Sequence, residues 1–202
     1  MIFTFVPRHD DNFLRHDLMV RALVYENRTA LQALLTFLHT QLDQVERVVI
    51  NTPEPAFHLL LRDPRNDSGR LLPSVWHESN TQGVGIMYRV IHVSRLFEVL
   101  AERDFGGQSL RLRLLLTDSF FPENAGGYGL VFENGRCTLQ PDIDHDVTLE
   151  IDVAEFSSLI SGAASFHDLH RYGLARLSPE RYQEQVHLLF RVDDPPWCLT
   201  SF

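Results

Sequence analysis

The sequence predicts an α+β protein of two units, and three observations carry that reading. Residues 18 to 62 switch between strand-like and helix-like periods. Residues 63 to 85 are dominated by turn formers. Beyond residue 86, runs of period two come first and runs of helical period follow, the segregation expected of an α+β domain. The units are therefore placed at residues 1–85 and 86–202.

In the first unit, the short apolar stretch Leu18 to Tyr25 reads as a strand. Thr29, with Gln32 three residues later, fits a capping box that starts a helix. Leu31, Leu34, Leu35, Leu38 and Leu42 then recur at helical spacing and turn one face to a core. The β-branched run Val45 to Ile50 is a strand. Phe57 to Leu61 is a short helix that stops near Asp63-Pro64, because the residue before a proline is driven out of helical geometry. Between the units, Leu71, Leu72, Val75 and Trp76 form a small apolar island among turn residues.

The second unit opens with Ile86 to Ile91, read as a strand, and the helix Leu96 to Leu100. Ser109 to Thr117 alternates leucine with arginine, so one face is buried and the other wet. Leu130 to Phe132 and Cys137 to Leu139 flank Asn134-Gly135, whose tolerance of positive φ makes a hairpin. Val147 to Val153 alternates again. Three helices follow. One carries Phe156, Leu159 and Ile160 and ends near Gly162; another carries Phe166 and Leu169 and ends at Gly173. The third starts at Ser178-Pro179-Glu180, with serine as cap and proline at the first helical position, and buries Val186, Leu189 and Phe190.

Composition narrows the function. With 44% hydrophobic and 22% charged residues, the 202-residue chain can bury a real core. A net charge of −9 argues against nucleic-acid partners, which need a basic face, and mildly favours cationic ones. Two distant cysteines, Cys137 and Cys198, read as reduced thiols in a cytoplasmic protein. Met1 to Arg8 lacks the basic and apolar regions of a signal peptide. No apolar run reaches the roughly 20 residues of a membrane span.

Three clusters are candidates for chemistry. His167 and His170, spaced i, i+3, place two imidazoles on one helix face, but no third ligand has recognisable spacing, so no metal is expected. Asp142, Asp144, His145 and Asp146 resemble a calcium loop without its glycine and distal glutamate, and read as a solvated loop. The C-terminus carries Trp197, Leu199 and Phe202, large apolar groups where chains usually fray. Burial there would bring the α-carboxylate inward, where it can accept a proton from an attacking amine; the alternative is a tail docked on a core. No helix is preceded by the glycine-rich turn that grips a coenzyme A pyrophosphate.

The ending Pro195-Pro196-Trp197-Cys198-Leu199-Thr200-Ser201-Phe202 resembles the Pro-Trp-Cys-x-Thr-x-Phe terminus of acetyltransferases of the enhanced-intracellular-survival (Eis) type. Three further segments resemble that family in the same order: Met87 to Val93, Thr117 to Gly126, and Ser161 to Phe166 with Leu169 and Gly173 beyond. Leu61-Arg62-Asp63-Pro64-Arg65 and the leucine helix resemble its middle domain more weakly. The resemblance implies a partial GNAT-like α/β unit followed by a sterol-carrier-protein-like domain. It implies acetylation of amines, with the α-carboxylate of Phe202 as general base and the rings of Trp197 and Phe202 beside the acceptor. Acetyl-CoA would be held by a further GNAT domain, in cis or in trans, so this chain holds no cofactor and is not expected to act alone. The alternative is a stand-alone module that binds an apolar ligand through its sterol-carrier-like domain or forms a homo-oligomer.

Overall fold

The computed structural model describes residues 1–8, 15–73, 75–83, 87–194 and 196. The chain divides into two compact units, Met1–Val84 and Gly85–Pro196.

In the first unit, β1 (Ile2–Pro7) pairs antiparallel with β2 (His16–Ala22). Helix α1 (Arg28–His39) then carries the chain to β3 (Val45–Ile50), which lies parallel to β2. A parallel pair requires such a crossover, because no tight turn can reverse the direction twice. Four of the five leucines of the expected stripe meet the core: Leu31 and Leu38 are buried with Leu18, Val20, Leu23, Val45 and Phe57, and Leu34 and Leu35 pack at the margin, whereas Leu42 lies beyond the end of α1 and is 66% exposed. The start of the helix differs from the sequence reading. Asn27 is the cap, its side chain accepting from the Ala30 N–H at 3.0 Å, and Thr29 lies inside the first turn. The Asn27 oxygen reaches an orphan N–H first, so Thr29 has no capping role. Phe57–Leu60 is one turn of 3₁₀ helix. The apolar island folds into a two-stranded ribbon, β4 (Leu71–Leu72) with β5 (Trp76–His77), whose side chains are exposed.

The second unit is a five-stranded sheet. In chain order its elements are α2 (Val93–Val99), β6 (Leu110–Thr117), β7 (Gly126–Glu133), β8 (Arg136–Leu139), β9 (Val147–Asp152), α3 (Val153–Ser161), α4 (Phe166–Arg171), β10 (Ala175–Ser178) and α5 (Gln183–Phe190). The strand order is β10-β9-β6-β7-β8, with β6 and β9 parallel and every other pair antiparallel. Alternation along β6 buries Leu110, Leu112, Leu114 and Leu116 and exposes Arg111 and Arg113. The β7–β8 turn has φ of 48° at Asn134 and 81° at Gly135, as the Asn-Gly pair predicts. Helix α3 stops at Gly162, whose φ is 83°. A Cβ there would also stand 2.6 Å from that of Val192, so glycine serves both the turn and the packing above it.

Two sequence readings fail in this unit. Met87 to Val90 is not a strand. The Val90 N–H donates to Ser157 Oγ at 2.8 Å, and its carbonyl accepts from the Asn124 amide at 3.1 Å. Side chains from distant elements thus take the backbone groups that a ladder would use. Ser178 is not a helix cap either. It is the last residue of β10, opposite Thr148 of β9, and α5 begins at Gln183 after a 3₁₀ turn, Glu180–Tyr182.

Candidate functional site

The expected catalytic and acceptor residues, Phe202 and Trp197, lie outside the described residues, as does Cys198. Just before them, Arg191 pairs with Asp193 at 2.9 Å on the surface.

The most elaborate polar construction is built on the turn between β6 and β7. The Asp118 side chain is fully buried and its Oδ1 lies 2.5 Å from Arg89 Nη2. The same oxygen accepts from the Phe120 N–H at 3.0 Å and the Phe121 N–H at 2.9 Å. Oδ2 accepts from the Asn124 amide at 3.2 Å. Asn124 is itself buried, and its Oδ1 accepts from the Val93 N–H at 2.9 Å. Arg89 is flanked by the rings of Phe120 and Phe121, each 5.3 Å from the guanidinium carbon. Burial by itself would raise the Asp118 pKa. The Phe121 N–H, the Asn124 amide, the Phe120 N–H and the Arg89 charge outweigh it, and hold the carboxyl below its ordinary value. Asp118 and Asn124 therefore staple the start of α2 to the turn. Their partners are used up in structure, which fits a turn rather than a reacting group.

The histidines form a second cluster. His167 on α4 stacks on His187 of α5 with centroids 3.9 Å apart and planes 8° from parallel. His170 stacks on Phe166, and its Nδ1 lies 3.1 Å from the Ala175 carbonyl. The two imidazoles expected on one helix face thus go to different neighbours, and no metal-holding group of three ligands exists among the described residues. His187 was not singled out by the sequence; its spacing with Glu184 on α5 and Arg191 just beyond is the trace it leaves. Beside it lies a cavity of about 220 Å³ lined by Gly162, Ala164, Phe166, His187, Phe190 and Val192 among others. That is smaller than the roughly 300–1,000 Å³ of small-molecule pockets. Phe156, Leu159 and Phe166 are 0%, 0% and 1% exposed and belong to the core of the second unit.

The remaining candidates resolve simply. Asp146 Oδ1 pairs with Arg111 Nη2 at 2.9 Å, while Asp144 is 93% exposed, so the acidic loop is solvated and tied to β6. Burial pushes the Cys137 thiol up to about 12, which leaves it inert. Gly106 and Gly107 precede β6, and Gly126-Gly127 open β7. Among the described residues no glycine-rich turn opens a helix, the element that grips a pyrophosphate in many nucleotide sites. No helix among them is long and apolar enough to cross a membrane.

Two family models match successive stretches of the chain. A sterol carrier protein domain model matches residues 96–199, and an acetyltransferase (GNAT) domain model matches residues 1–90. A GCN5-related N-acetyltransferase from Anabaena variabilis is similar over 99% of this chain and 46% of its own, with a TM-score of 0.70 and 21% identity. One from Kribbella flavida is similar over 92% and 44%, with a TM-score of 0.61 and 21% identity. Eis1 from Mycobacterium abscessus is similar over 93% and 43%, with a TM-score of 0.61 and 20% identity. At these identities the likeness is one of fold, and this chain spans less than half the length of each. No curated protein matches the sequence.

Proposed function

We infer a function from one premise: the chain belongs to the sterol carrier protein domain family, and a GNAT-like unit precedes that domain. On it we propose that these residues are the C-terminal portion of an Eis-type N-acetyltransferase. Residues 1–85 serve as the middle GNAT-like unit and connection, and 86–202 as the C-terminal domain. The observation that carries the proposal is the order of the two units, in a fold that matches solved GCN5-related N-acetyltransferases over 92–99% of this chain. The Pro-Trp-Cys-x-Thr-x-Phe resemblance of residues 196–202 supports it and supplies the chemistry. The α-carboxylate of Phe202 takes the proton from the amine as it attacks, and Trp197 and Phe202 flank the acceptor. Acetyl-CoA belongs to a further GNAT domain acting in cis or in trans, and turnover requires that domain.

The test is a reconstituted enzyme that carries a cofactor-binding GNAT domain. Deleting Phe202 displaces the carboxylate by one residue, more than 3 Å. It is expected to lower kcat by about 10²-fold or more, the scale of general-base catalysis. Phe202→Ala keeps the terminal carboxylate in place and is expected to cost clearly less. Equal losses would reject the carboxylate as base.

A further inference from the structure

The stacked imidazoles of α4 and α5 are the feature that neither the core nor the proposed chemistry uses. Face-to-face contact at 3.9 Å suits two neutral rings, or one neutral and one charged. It does not suit two cations, which repel at this distance. The outer ring, His167, has its Nε2 3.4 Å from Glu184 Oε2, so a proton there is compensated. The inner ring is different. Among the described residues, His187 Nδ1 is buried and has no hydrogen-bond partner. A neutral imidazole can leave an acceptor lone pair at that nitrogen. The charged ring must carry an N–H on it, and an unpartnered buried donor is costly.

The groups facing His187 sharpen this. His167 and Asp168 face it from α4, Glu184 from its own helix, and Arg191 from the segment beyond. Burial first, and then His167, hold its pKa below the ordinary histidine value; Arg191 adds to this, while Glu184 and Asp168 oppose it. The stack also sits where α5 ends. Phe190, Arg191 and Val192 line the adjoining cavity with His187, and Val192 closes over Gly162 at the end of α3.

We propose that the His167–His187 stack is a pH-sensitive latch. It holds α5 and the Val192 exit against α4 and α3 while His187 is neutral, and it loosens when His187 takes a proton. The sign follows from linkage. A histidine whose folded-state pKa is lowered gives stability that is full above its ordinary value near 6.5. That stability is lost as pH falls through the folded value.

Two measurements on the full chain test the latch. In an NMR titration of the imidazole resonances, the His187 midpoint is expected below that of a free histidine, and His167→Phe, which keeps a ring but removes its titratable nitrogens, is expected to raise that midpoint. In hydrogen exchange corrected for intrinsic rates, α5 amides are expected to lose protection severalfold between pH 7 and pH 5. His187→Phe should abolish that loss. A His187 midpoint at or above that of a free histidine would overturn the proposal, and so would an undiminished loss in His187→Phe. Should His187→Phe fail to fold, the wild-type titration alone decides.

Discussion

The two units are built with unequal means. In the sterol-carrier-like unit, Phe105 meets Phe132 at 5.2 Å and Phe190 at 6.4 Å, and Phe97 meets Phe105 and Phe156. These rings sit between the inner face of a five-stranded sheet and its helices, and all are 2% exposed or less. In the GNAT-like unit, β1 is exposed along nearly its whole length, and the buried cluster is a thin seam between β2, α1 and Phe57. The difference teaches where the stability of this chain resides. The second unit specifies its own fold from within. The first has less apolar surface to offset the entropy of ordering.

The sharpest way to break that comparison is a matched pair of truncations. Phe105→Ala is expected to destabilise the second unit by about 3–5 kcal/mol, because a close-packed ring cluster cannot collapse into the space left. Leu18→Ala in the first unit should fall toward the lower end of the roughly 2–5 kcal/mol range, since partly exposed neighbours can close in. Denaturant unfolding followed separately in the two units checks both. Equal losses would mean that the first unit is packed as rigidly as the second.

A smaller effect probes the polar staple of the second unit. Because its partners hold Asp118 below the ordinary carboxyl value, its contribution is fully present above that value and is lost as pH falls through the folded one. Wild-type stability is therefore expected to drop below about pH 4. Asp118→Asn should start less stable at neutral pH and show a shallower acid drop. Parallel curves for the two proteins would show that Asp118 does not carry this dependence.

Much of the second unit was legible because its signals are local. Leucine–arginine alternation located β6, Asn134-Gly135 located the β7–β8 turn, and Gly162 ended α3. What escaped was either too short or fixed from afar. The four residues of β10 alternate Ala175 and Leu177 inward, too brief a run to stand out before Pro179. In β1 little is buried, so Ile2 to Pro7 shows no inward face. Met87 to Val90 has the composition of a strand, yet Ser157 and Asn124, 67 and 34 positions away, take the hydrogen bonds of Val90. The same limit applies to function. The Arg89–Asp118 pair and the His167–His187 stack join residues that no sequence spacing relates, whereas the terminal motif was legible only through family resemblance. Trp197 to Phe202 of that motif lie outside the described residues, so its role rests on the proposal and its tests.

The central claim is that this chain serves acetyl transfer from the acceptor side and leaves the cofactor to another domain. Calorimetric titration of the purified chain with acetyl-CoA tests it most directly. The account predicts no heat of binding at cofactor concentrations up to the millimolar range. Micromolar binding would contradict it, because these residues would then build a coenzyme A site of their own.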